Sequence, residues 1–218
     1  MKFSKMGLVL LSFGTLFSVS ALSNINALST TNMNSTTNDN STMNDNSTML
    51  DINQGRTTIS ANIKLADLNS DIHSVWIVDG GSWYGYSTNS TVRDEIKDKY
   101  KLLENDISAT KATIVYALND TTLKVTIPQN PVNVTRIYGN GLSLHGANGA
   151  YLSVSDITCS VDGYSLTSVM KLVGNKISIY MNDENKEIDY EKYSDLNSIY
   201  ESDAYFVLCD KNIEEEGK

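Results

Sequence analysis

The sequence predicts a mainly β fold, an antiparallel sandwich or barrel-like sheet with one packed α-helix at about residues 91–105. Three observations lead there: short apolar or alternating runs recur at close spacing, pairs of Gly, Asn and Asp separate them, and only one stretch has helical periodicity. Strands set this close together leave no room for the crossover helices of parallel βαβ units. Residues 56–210 are read as a single globular domain, long enough to bury a real core.

What precedes that domain is not core material. Lys2 and Lys5 form a short positive n-region, and residues 6–19 are almost continuously apolar, broken by Ser12, Gly14, Thr15 and Ser18. The run ends before polar Ser23, Asn24 and Asn26, short of the ~20 residues a membrane span needs. Residues 1–27 are therefore read as a secretory signal peptide cleaved between 21 and 27; small residues pair at Val19/Ala21, Ala21/Ser23 and Ile25/Ala27. The alternative is an uncleaved anchor. No cysteine precedes Cys159 and residues 212–218 are acidic, so neither a lipoprotein anchor nor a C-terminal one is expected. The expectation is an extracytoplasmic protein, whether secreted, periplasmic or at the cell surface, with no membrane insertion after cleavage.

Residues 28–55 read as a disordered, low-complexity Asn/Ser/Thr-rich stalk. Two near-identical hexads occupy 34–39 (NSTTND) and 40–45 (NSTMND), followed by NSTM at 46–49. A tract like this buries too little apolar surface to offset its ordering entropy, and its repeats lack the apolar position a β-solenoid would stack. Sequons begin at Asn34, Asn40, Asn46, Asn89, Asn119 and Asn133, which a chain this rich in Asn, Ser and Thr also produces by composition.

Within the domain, Ile59, Ala61, Ile63 and Leu65 alternate with polar residues, the mark of a half-buried strand. Residues 75–78 and 83–88 flank Asp79-Gly80-Gly81 and read as a hairpin. Thr91 is the expected helix N-cap, with Asp94 three residues on and Val92, Ile96, Tyr100 and Leu103 on one face. Its mixed charges suit a helix packed on a sheet, not one lying on a membrane. Residues 113–118 and 122–127 flank Asn119-Asp120 and read as a second hairpin. Strands are also expected at 151–159, 165–173, 176–181 and 204–209, with turns at Asp162-Gly163 and Gly174-Asn175 and a turn cluster at 182–185.

Cys159 and Cys209 fall at the ends of predicted strands, and in an exported protein a disulfide between them is the expectation, with two free thiols as the alternative. A catalytic cysteine would want a neighbouring base, and neither His73 nor His145 shares a local motif with one. The formal charge of −9 becomes −11 once Lys2 and Lys5 leave with the signal, and residues 183–218 carry twelve Asp and Glu against four Lys. Acidity of this kind repels nucleic acid and anionic membranes, and a solvated acidic tail at 211–218 is the ordinary reading. No calcium-loop ligand ladder is present, no metal site is assigned, and no cofactor is expected.

Signatures of catalysis are weak. Residues 81–85 and 141–145 both miss the G-x-S-x-G spacing of a nucleophile elbow, and the glycines at 139, 141, 146 and 149 are read as turn chemistry. The one concentrated oddity is aromatic: Trp76, Trp83, Tyr84 and Tyr86 lie around a Gly-Gly turn, where rings can stack on sugars or peptides or else fill a core. These four are the candidate ligand-binding residues. The favoured function is a non-enzymatic binding or interaction module for a glycan or protein ligand. A small secreted hydrolase using carboxylates or groups such as Ser82 and His145, and a structural envelope protein, stand as alternatives.

Overall fold

The computed structural model describes residues 47–132, 136–182 and 193–211. The expected signal segment, both hexads, and residues 133–135, 183–192 and 212–218 fall outside the described residues. The fold is mostly β, built on two five-stranded open sheets that pack face to face. The first holds, in spatial order, β2 (Gly55–Ile59), β6 (Thr113–Ala117), β3 (Ile72–Asp79), β4 (Ser82–Tyr86) and β5 (Lys101–Leu102). The second holds β12 (Tyr193–Asp195), β11 (Lys176–Met181), β10 (Tyr164–Val173), β14 (Ala204–Lys211) and β8 (Gly141–Gly146). Two small pairs complete it, β1 (Ser47–Ile52) with β7 (Thr121–Thr126) and β9 (Leu152–Ser153) with β13 (Ser198–Ile199). No sheet closes into a barrel, and all strand pairs are antiparallel except the short β4–β5 and β11–β12 pairs.

Alternation of side chains gives each large sheet two faces, and both are covered. Between the sheets, Ile114 meets Met170, Leu172, Ile179 and Phe206, with Trp76 and Trp83 packed at the margin. The outer face of the first sheet, Val75, Ile77 and Val115 among others, is closed by Ile52, Leu123 and Val125 of the β1–β7 pair. On the outer face of the second, Val169, Tyr205, Val207 and Cys209 lie under Tyr138, Val154, Ile157 and Ile199. The sheets are also stitched along β2: Arg56 N donates to Gly174 O at 2.9 Å and Ser60 N to Ser202 O at 2.7 Å. Thr57 and Thr58 hydroxyls accept from the amides of Gly174 and Leu172.

Several expectations are met by the pairing. The hairpin across residues 79–81 forms in register, Val75 opposite Tyr86 and Asp79 opposite Ser82. Both turn glycines have positive φ, 54° at Gly80 and 74° at Gly81, which side chains resist. β10 and β11 form the hairpin expected at Gly174-Asn175, and the final apolar run becomes β14, the buried strand between β10 and β8. Cys159 and Cys209 are joined in a disulfide.

Other expectations are corrected. Asn119-Asp120 does turn the chain, but β6 and β7 do not pair; both edges of β6 are taken by β2 and β3, so β7 leaves to pair with β1. That partnership orders residues 47–52, which composition assigned to the stalk, because a polar edge strand needs only its inward Ile52 and Leu50 to pack. The helix, α1 (Ser90–Lys99), is shorter than expected and is capped by Asn89, whose Oδ1 accepts from Thr91 N at 3.0 Å and Val92 N at 3.3 Å. It stops because residues 101–102 are drawn into parallel pairing with β4. Residues 151–159 yield only the two-residue β9 and a 3-10 turn at Val154–Asp156. Conversely the glycines at 141 and 146 bound a true strand, β8, which alternation did not reveal.

Candidate functional site

The four aromatic residues of the hairpin are not one patch. Pairing across β3 and β4 sends Trp76 and Trp83 to the face between the sheets and Tyr84 and Tyr86 to the opposite face, and all four are half-buried. The Trp76 indole lies over Gly85, where a Cβ would come within 2.7 Å of the ring. It meets Tyr100 edge-on at 5.3 Å between ring centres, and its Nε1 donates to Ser74 Oγ at 2.9 Å. Tyr84 and Tyr86 each carry a cation over the ring, Lys101 at 5.2 Å and Arg93 at 5.7 Å. The accessible edges of this group are therefore split between two sides of a ribbon, and three of the rings already have partners.

The exposed aromatic surface lies elsewhere. Antiparallel pairing of Leu152 with Ile199 sets Tyr151 and Tyr200 side by side, with ring centres 5.8 Å apart and a 67° interplanar angle. Both are 57% exposed. Neither is loose. Tyr151 Oη shares a 2.6 Å hydrogen bond with Ser198 Oγ, while Tyr200 N donates to Asp203 Oδ2 at 2.9 Å and Asp203 N donates back to Tyr200 O at 2.9 Å. Gly149 N to Glu201 O, at 3.0 Å, extends the clamp. The pair presents two exposed rings, one of them with its phenol oxygen on the Ser198 hydroxyl. No local pattern points to it, since the two tyrosines come from distant segments that only the β9–β13 pairing unites.

A third group combines titratable side chains. On β8, Ser143 and His145 share a face, and Ser143 Oγ lies 2.8 Å from His145 Nε2. Burial, with the Arg136 charge acting in the same direction, lowers the imidazole pKa to about 4, so it is neutral at pH 7. Beside it, Tyr138 and Tyr205 share a 2.7 Å hydroxyl contact, and burial raises the pKa of both phenols, that of Tyr205 well above its ordinary range. Arg136 is engaged with the carbonyls of Gly146, at 3.3 Å, and Ala147, at 2.6 Å. The serine beside His145 is thus Ser143; Ser82 sits at the hairpin tip opposite Asp79. A neutral imidazole at hydrogen-bond reach can accept a hydroxyl proton, but a pKa this low makes it a weak base.

Among the described residues no group of three or more His, Cys, Asp or Glu is placed to hold a metal ion, and no helix is long and apolar enough to cross a membrane. No known protein family, curated protein or solved structure matches the chain.

Proposed function

We propose that the protein is an exported binding module that meets a glycan or protein ligand through aromatic side chains held at its surface. The observation that carries this reading is the Tyr151–Tyr200 pair, two large rings more than half exposed: the Tyr151 ring is held by its hydroxyl bond to Ser198, and the Tyr200 backbone by Asp203, which limits the conformational freedom left to lose on binding. Aromatic rings with polar edges suit sugars and protein surfaces alike. Trp83, half-buried at the margin of the inter-sheet core, meets no ring or cation among the described residues, and it is the second contact to test. Export is supported by the basic n-region and short apolar segment, and by the Cys159–Cys209 disulfide, a bond that persists in oxidising compartments.

The experiment is a glycan array and a protein-ligand screen with the mature chain, the Tyr151→Ala/Tyr200→Ala double variant and Trp83→Ala. Loss of stacking on two rings is expected to weaken a detected ligand by about tenfold or more in the double variant, while its circular dichroism is unchanged. Signals unaltered in both variants would overturn the reading. The hydrolase alternative has one observation in its favour, the 2.8 Å Ser143–His145 contact. An activated phosphonate ester that labels the native chain but not Ser143→Ala would support it.

A further inference from the structure

A second unassigned contact is covalent in its possibilities. Lys171 on β10 places Nζ 2.5 Å from Asp203 Oδ1, and the two side chains are 18% and 8% exposed. Charge-assisted contacts of this type usually lie at about 2.7–2.9 Å. The surface pair Lys111–Asp79, by contrast, is 2.8 Å apart with the carboxylate half in solvent.

The backbones that carry both partners are fixed, and so is the Asp203 carboxylate. Lys171 is set between Met170 and Leu172, both locked in the inter-sheet core, with β11 on one side of its strand and β14 on the other. Asp203 bridges to Ile59, accepts Ala147 N on its backbone oxygen at 2.8 Å, and has its second carboxylate oxygen, Oδ2, held by Tyr200 N at 2.9 Å. An amine and a carboxyl group held in contact from fixed strands react as though at high local concentration.

We propose that Lys171 and Asp203 condense to a side-chain amide, an intramolecular isopeptide cross-link. A proton passes from the Lys171 ammonium to Asp203 Oδ1 along the short contact, leaving a neutral amine and a carboxylic acid. The Nζ lone pair adds to Cγ, and the electrons displaced from the carbonyl collect on Oδ2, where the Tyr200 N–H stabilises them as one oxyanion-hole donor. Collapse of this intermediate breaks the Cγ–Oδ1 bond. Oδ1 departs with the transferred proton and a second proton from nitrogen, so one N–C bond forms, one C–O bond breaks and one water leaves. Ammonium and carboxylate become a neutral amide with no oxidant or co-reactant. The product ties β10 to the start of β14 beside Tyr200, whose position Asp203 already sets.

The test is the intact mass of the exported, folded full chain, with the disulfide reduced first so that only this link is weighed. The expected mass is one water below that of the mature sequence, and a protease digest should yield a branched peptide joining the segments around Lys171 and Asp203. Lys171→Arg keeps the cation but offers no condensing amine, and its mass should be that of the full sequence. A wild-type chain at full mass after prolonged incubation would overturn the proposal. So would a one-water deficit that survives in Lys171→Arg, which would mark succinimide formation at Asp79-Gly80 or Asp162-Gly163 instead.

Discussion

At the scale of single residues, the chemistry of this chain lies in groups whose environments the primary structure does not announce. His145 is the clearest. The alternation around it did not mark a strand, yet β8 carries it under Tyr138 and beside Tyr205, with rings 4.8 and 6.0 Å away, and burial lowers its pKa to about 4. The unfolded chain would bind a proton near the ordinary value of 6.5. Between those values the unfolded state holds more protons than the folded one, so stability is fully present above about 6.5 and is lost as pH falls through 4. The loss should reach roughly 3 kcal/mol for this one group. His73, lowered by burial against the opposing pull of Glu95, acts in the same direction. Comparison with His145→Gln therefore isolates the effect. Urea midpoints at pH 7.5, 5.5 and 4 should fall more steeply for the wild type than for the variant, and parallel profiles would show that His145 does not titrate as described.

Elements show where local pattern was sufficient and where competition between strands intervened. The β3–β4 hairpin was legible because Gly80-Gly81, between apolar runs, can take the positive φ that a tight turn requires and side chains resist. The β6–β7 turn was equally legible, but its pairing was not, since β2 and β3 outcompete β7 for the edges of β6. Aromatic clustering at residues 76–86 likewise identified a segment, and strand alternation divides its four rings between two faces. Gly85 exposes the consequence. A methyl group there would lie 2.7 Å from the Trp76 ring, which cannot retreat without leaving Tyr100 and Ser74. Gly85→Ala should cost about 1–3 kcal/mol through overpacking, with a changed tryptophan emission, both measurable in one fluorescence-detected melt. An unchanged melt and spectrum would mean that the indole is mobile.

For the molecule as a whole, the disulfide joins the segment after the Val154–Asp156 turn to the strand between β10 and β8. It closes a loop of 50 residues and its Cys209 end is fully buried. In the chain-entropy account a loop of this size constrains the unfolded state by roughly 4 kcal/mol. Reduction, or Cys159→Ser with Cys209→Ser, should therefore lower the unfolding free energy by several kcal/mol and loosen the cover over Tyr205 and Val207. Hydrogen exchange along residues 204–209, faster in reduced than in oxidised protein, checks the second point; equal protection would confine the disulfide's effect to the unfolded chain.

Local pattern was enough for the strand-rich class, the turns at Gly80-Gly81 and Gly174-Asn175, and the one α-helix among the described residues. Each of these follows from spacing and local conformational preference, which neighbours in the chain already express. Tertiary structure alone decided that β7 turns away from β6, that both faces of each sheet are covered, that Tyr151 meets Tyr200, that Ser143 and not Ser82 meets His145, and that Lys171 reaches Asp203. Those outcomes depend on which strand wins each edge, and backbone hydrogen bonding between strands is indifferent to side-chain identity. The packing of three apolar clusters selects among the possible pairings, and that selection is a property of the assembled chain.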